Sequence, residues 1–189
     1  MSPNQPFPPG QSVFQLRIQL EDVRPIVWRR LLVPGAVHLP KFADMLCAAM
    51  GWQNYHLHAF RVGDALYGMH ADEYPENEID EKGLSVLQVF RDERRFFFDY
   101  DFGDGWEHEV VVEDLSWSHF GLKFAVCIDG QNACPPEDVG GIPGYEEFLE
   151  AISNPDHEEF DHYVAWAGGY FDPAVFDLAA ANAALQKVR

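Results

Sequence analysis

Residues 96–114, FFFDYDFGDGWEHEVVVED, constrain the fold more than any other stretch of the chain. Two runs of alternating large and charged side chains flank a Gly-Asp-Gly centre, the pattern of a β-hairpin with one apolar face. Two registers compete for it. A two-residue Asp104-Gly105 turn is a favoured hairpin signal and would set Asp101 opposite His108. It would also mix Phe98, Tyr100 and Phe102 with Glu107 and Glu109 on one face. A three-residue turn, Gly103-Asp104-Gly105, instead faces Phe102 with Trp106, Tyr100 with His108, Phe98 with Val110 and Phe96 with Val112. Because a one-residue slip exchanges the faces, burial selects this second register. It leaves Asp101 opposite Glu107 and Asp99 opposite Glu109, and like charges directly opposed cost up to ~1 kcal/mol a pair. Arg17, Arg29 or Arg30 from a neighbouring strand, a bound cation or solvation could offset this, and the expectation is a guanidinium within hydrogen-bonding reach of Asp99 or Asp101.

The rest of the chain supplies partners for this hairpin. Residues 1–12 are Pro-rich and read as a flexible arm, and 13–189 as a single domain. Residues 13–20 alternate strictly, with Phe14, Leu16, Ile18 and Leu20 on one side, and 26–33 return as a second strand. Residues 39–52 carry apolar positions at helical spacing, with Pro40 in the first turn and Gly51 at the stop. Residues 56–69 read as a hairpin about Gly63-Asp64, which puts His56 and His58 on one strand face beside Phe60. Residues 70–83 are acidic and aperiodic, a surface loop, and 84–90 fit a short helix or a strand equally well. A strand over 122–130 and a Pro- and Gly-rich loop over 131–144 follow. Helical patterns then occupy 145–152, 157–168 and 173–188. Strands first and helices last imply an α+β fold: an antiparallel sheet built from hairpins, covered by helices, with a helical C-terminal third.

Charge narrows the partners. The 189 residues carry 31 acidic and 13 basic side chains, a net charge of −18, so the long-range field repels phosphate backbones and anionic membranes. The basic stretches Arg29–Arg30 and Arg91–Arg95 are short, and the second is interrupted by Asp92 and Glu93, which argues against direct nucleic-acid binding. A basic protein or peptide is the partner such a surface suits. No apolar run reaches the ~20 residues that span a bilayer, no charged-then-apolar leader opens the sequence, and three cysteines cannot all pair. Together these point to a cytoplasmic protein with reduced thiols.

Chemistry-bearing motifs are sparse. His56-x-His58 is half of a common metal site, and His108 with Asp101, Asp104, Glu137 or Asp138 would complete one. No spacing among them is diagnostic, so no cofactor is expected, and a divalent metal is the alternative. Cys134 has Glu137 and Asp138 as neighbours, which should raise its pKa and leave it a structural thiol. The Gly140-Gly141 turn lacks the Lys-Ser/Thr of a phosphate loop, and Glu146 and Glu147 in the helix beginning near Pro143 already stand where an anion would sit.

Taken in order, VFQLRIQLEDVRPIVWRRLLVP, AMGWQNYHLHAF, YDFGDGWEHEV, CPPEDVGGIPGYEEFLEAI and FDPAVFDLAAAN resemble the plasmid pRiA4b ORF-3-like family across about residues 13–183. The resemblance implies a compact α+β domain and an association with plasmids and mobile elements. It implies no reaction, so no catalytic residue is carried over. The signature positions define a candidate site: Trp28, Arg29, Arg30, His56, His58, Asp101, Asp104, Trp106, His108, Glu137 and Asp138. With no catalytic signature, the expectation is a non-catalytic binding or interaction domain. The alternative is a metal-assisted hydrolase built on His56, His58, His108 and the acidic cluster.

Overall fold

The computed structural model describes residues 11–69, 77–117 and 122–188, with Trp117 described by its backbone alone. Residues 1–10 of the expected arm and 70–76 of the expected acidic loop lie outside the described residues. Strict alternation builds β1 (Ser12–Leu20), whose Phe14, Leu16, Ile18 and Leu20 are buried while Gln15, Arg17 and Gln19 lie on the other face. β2 (Trp28–Pro34) returns antiparallel to it. α1 (Leu39–Met50) has Pro40 in its first turn and stops at Gly51, whose φ of 110° only glycine adopts without strain. β3 (His58–Val62) and β4 (Ala65–Gly68) form the hairpin about Gly63-Asp64.

β5 (Ile79–Asp80) and α2 (Val86–Phe90) follow. The ambiguous 84–90 segment resolves as helix because Ser85 and Gln88 form a reciprocal capping box at its start. β6 (Arg95–Tyr100) and β7 (Trp106–Trp117) are the hairpin of residues 96–114, and β8 (Val126–Gln131) is the last strand. The C-terminal third holds α3 (Gly141–Ser153), α4 (Phe160–Trp166) and α5 (Leu178–Leu185). The eight strands form one sheet in the order β5-β4-β3-β6-β7-β1-β2-β8, antiparallel except for the β4–β5 pair. This is the α+β architecture that the pattern of elements implies.

Helices cover one face of the sheet. Phe42 of α1 stacks on Phe60 of β3 (5.5 Å between centroids), and Phe90 of α2 stacks on Phe96 of β6 at 3.9 Å. Each fully buried ring is worth roughly 1.5–3 kcal/mol relative to exposure. A second aromatic group, Tyr145, Phe148, Tyr163, Trp166 and Phe171, ties α3 and α4 together at the C-terminal end.

Three expectations change. The three-residue turn is not formed: Tyr100, not Phe102, pairs with Trp106, and Phe98 pairs with His108. Residues 101–105 close the hairpin instead. Asp101 takes a left-handed backbone (φ 52°), and its Oδ1 accepts the N–H groups of Gly103 and Asp104 at 3.0 and 3.3 Å. The slip is two residues, so the side chains that stay in β6 and β7 keep their predicted faces, but Asp101 leaves the outer row and is buried, and Phe102 leaves the aromatic row and is 43% exposed. Second, the guanidinium beside Asp99 is there, and it belongs to Arg61 of β3 rather than to Arg17, Arg29 or Arg30. Its Nε donates to Asp99 at 2.6 Å and its Nη2 reaches both Asp99 and Glu107. Third, the 70–83 segment is not wholly surface loop. Residues 79–80 pair with β4, and Glu78 and Glu81 are buried.

Candidate functional site

Three loops meet at one end of the sheet: residues 51–57 after α1, 101–105 between β6 and β7, and 132–140 before α3. Their lengths leave room for contact because α1 ends abruptly at Gly51, and Trp52 then turns back into the core, 5% exposed. Its Nε1 donates to the carbonyl of Pro135 at 2.9 Å, and its ring stacks on Tyr100 at 5.1 Å and lies against Trp106. Carboxylates then join the loops. The Tyr100 hydroxyl donates to Glu137, and the backbone N–H of Gln53 donates to the other Glu137 oxygen at 2.9 Å. The Tyr55 hydroxyl donates to Asp138 at 2.6 Å. His56 Nε2 lies 2.9 Å from Asp138 Oδ1 and 3.5 Å from Asp101 Oδ2. The N–H of Gly140 donates to Asp104 Oδ2 at 3.1 Å.

The Gly-Gly turn thus receives an anion, and it is the protein's own Asp104. α3 begins at Gly141, two residues earlier than expected, so its first turn holds no acid and Glu146 and Glu147 fall beyond it. The close approach requires glycine: Gly141 has a φ of 67°, and a Cβ there would collide with the Asp104 carbonyl oxygen.

The site is electronegative and partly dry. The hydrogen bond to Asp138 pushes the Tyr55 hydroxyl up to about 12, with burial and the charges of Glu137, Asp138 and Asp101 adding to it. Burial, then the bond to Glu137, holds the Tyr100 hydroxyl far above its ordinary value. Both phenols therefore act as donors throughout the physiological range. His56, Asp101 and Asp138 each bring a ligand atom within 4.8 Å of the other two, and they are the one such group among the described residues.

Residues 12–180 match the family described as plasmid pRiA4b ORF-3-like protein. The chain belongs to that family. This ORF-3-like protein is 39% identical over 173 residues, 90% of its length and 87% of the relative's, to the uncharacterized protein y4hQ of Sinorhizobium fredii (strain NBRC 101917 / NGR234). It is also similar to the crystal structure of the protein of unknown function MM3350 from Methanosarcina mazei Go1. The TM-score is 0.80 at 31% identity, over 90% of this chain and 96% of that one.

Not all of the signature positions of the ORF-3-like chain reach the loop site. Asp101, Asp104, Trp106, His56, Glu137 and Asp138 do. His58 points away: its Nε2 lies 3.2 Å from both oxygens of Glu81, with both side chains 3% exposed. The reason is local, since β3 begins at His58 and His56 precedes it in a loop, so the two do not share a strand face. His108 is wholly buried, donating from Nδ1 to the Phe98 carbonyl at 3.0 Å, with its edge to Trp52. Burial lowers its pKa to about 4, and the bond to Phe98 only partly opposes this. The three histidines therefore form no common centre. Trp28 and Arg30 lie on the outer face of the sheet, where Arg30 binds Glu113 and Asp129, while Arg29 faces inward. Cys134 is a buried thiol whose pKa is raised, as expected, but chiefly by burial. Glu137 adds only a smaller push, which Arg29 opposes. The loop residues missed from the sequence are Tyr55 and Gln53, and their position inside the GWQNYHLH motif was the available signal.

Proposed function

We propose that this ORF-3-like protein is a non-catalytic binding domain whose three-loop site takes a cationic side chain of a basic protein or peptide. One observation carries the proposal. Asp101, Asp104, Glu137 and Asp138 converge with no lysine or arginine in ion-pair contact among the described residues. Their partners are His56, two tyrosine hydroxyls and backbone N–H groups. A lysine or arginine entering there meets unbalanced carboxylates, and Tyr55, Leu57 and Phe102 on the same loops are 56%, 37% and 43% exposed. Aromatic and aliphatic surface beside carboxylates suits the stem and head of an arginine or lysine.

The test must separate this site from the overall charge of −18. Labelled octa-lysine and octa-arginine are titrated against the wild type, against Glu137→Gln/Asp138→Asn, and against the distant pair Glu146→Gln/Glu158→Gln. The site pair should weaken binding by about tenfold, ~1.4 kcal/mol, and the distant pair by about twofold or less. Equal losses in the two variants would reduce the interaction to net charge and overturn the proposal.

A second reading, a divalent metal centre serving hydrolysis, is favoured by the clustering of His56, Asp101 and Asp138. One imidazole and two carboxylates suit zinc or manganese. Calorimetric titration with either ion decides it: one equivalent bound, and lost in His56→Ala, would favour the metal over the cationic side chain.

A further inference from the structure

Arg29 is the least expected charge in the molecule. It is 2% exposed, on the inner face of β2, in a chain where acids far outnumber bases. A buried guanidinium ordinarily lies against a carboxylate. Here Nε donates to the Ala49 carbonyl at 3.1 Å, and Nη1 to the carbonyls of Trp28 and Gln131 at 2.8 and 2.9 Å. The Phe176 ring lies 4.0 Å from the guanidinium carbon. Among the described residues no carboxylate is within ion-pair distance of Arg29, and its Nη2 has no hydrogen-bond partner. Carbonyls satisfy part of the fork without neutralising its charge.

Arg29 also lines a cleft of about 360 Å³ between the end of α1, the 133–134 loop and α5. Its walls are mostly small and apolar, among them Ala48, Ala133, Ala180 and Ala184, with Phe176 and Cys134 beside the arginine. The volume is at the lower end of the ~300–1,000 Å³ of small-molecule sites. One charged donor in an apolar cleft is the arrangement that fixes the head of an amphipathic anion. The chemistry also limits the anion's charge. One free nitrogen cannot satisfy a phosphate's oxygens, and Asp177 on the same wall, like the overall field, disfavours a dianion.

We infer that this cleft binds a small organic monocarboxylate, its head on Nη2 of Arg29 and its apolar body among the alanines of α1 and α5. This cleft borrows Gly51, Ala133 and Cys134 from two of the three loops but none of the four carboxylates of the loop site, so its occupancy does not depend on that proposal.

The experiment titrates the full chain with butyrate, hexanoate and benzoate, and with butanol, hexanol and benzyl alcohol, at matched ionic strength. Amide shifts of Ala49, Gly51 and Ala181 are followed by NMR. The acids should produce saturable shifts at these amides, with the matched alcohols at least about tenfold weaker. Ala184→Leu fills the cleft without touching Arg29 and should abolish the shifts while the rest of the spectrum stays native. Arg29→Lys keeps the charge and shortens the fork, and where it folds it should weaken the acids selectively. Absence of saturable shifts up to about 10 mM acid would overturn the inference. So would equal binding of acid and alcohol, or undiminished binding by Ala184→Leu. Octa-lysine binding should be unchanged in Ala184→Leu, which separates failure here from failure of the loop-site proposal.

Discussion

The outer face of the sheet and the three-loop site are both rich in carboxylates, and they manage that charge in different ways. On the sheet, Asp99 and Glu107 share Arg61, Glu109 meets Arg95, and Glu113 and Asp129 share Arg30. Strand pairing spaces side chains at about 5 Å across a sheet, so an arginine on one strand reaches acids on the next one or two. At the loops, the acids are held by phenols, an imidazole and backbone N–H groups, with no lysine or arginine in ion-pair contact among the described residues. The first arrangement serves the fold. The second leaves carboxylates clustered on loops without a lysine or arginine in ion-pair contact among the described residues, which is the feature on which the proposed binding role rests.

The comparison can be broken most severely at the Gly-Gly turn that receives Asp104. Gly141→Ala adds a Cβ against the Asp104 carbonyl at a left-handed backbone position. It should cost about 3–4 kcal/mol in urea unfolding. Gly105→Ala, also left-handed but facing open space, should cost only about 1 kcal/mol. Similar losses at both positions would mean that the turn and the Asp104 carboxylate are not tightly joined.

His108 tests whether the layer beneath the site is as dry as the structure makes it. Its pKa is about 4 in the folded protein against ~6.5 unfolded. The unfolded chain takes up the proton that the native state refuses, so His108 leaves stability undiminished above about pH 6.5. Stability falls as the pH drops towards 4, by about 3 kcal/mol once both states are protonated. His108→Phe should flatten that limb of the stability–pH curve, and an unchanged limb would assign it to other groups.

Smaller effects sharpen the contrast itself. Arg61→Met leaves Asp99 and Glu107 opposed across β6 and β7 with no counter-charge, and should destabilise by about 1 kcal/mol, less at high salt. Asp138→Asn removes one of four converging charges and keeps an acceptor for Tyr55. Its unfolding free energy should stay within about 0.5 kcal/mol of wild type while octa-lysine binding weakens. A loop-site substitution as costly as Arg61→Met would mean that these acids serve the fold after all.

Much of this was legible in local pattern, and the failures have identifiable causes. Alternation placed Phe96, Phe98, Tyr100, Trp106, His108 and Val110 on one face, and they are buried there. It could not place the pairing, because Asp101 leaves the strand to bind the N–H groups of its own turn and shifts the register by two. The need for a guanidinium beside Asp99 followed from like-charge opposition. Its source did not, because β3 lies next to β6 only through the strand order of the finished sheet. His56 and His58 looked paired by spacing, yet the strand starts between them. Of the candidate residues, those on the three loops converge, while Trp28 and Arg30, Arg29, His58 and His108 go to four different surroundings.

By itself the sequence determined the faces of β1, β6 and β7, the ends of α1, the α+β class and the family. Each of these rests on short-range periodicity, local stop signals or motif order, which survive without knowledge of distant neighbours. Only the tertiary structure decided which carboxylates are balanced and which are not. An acid on the sheet and an acid in a loop look alike along the chain. Residues tens of positions away, Arg61 for Asp99 and Tyr55 for Asp138, set what each one becomes.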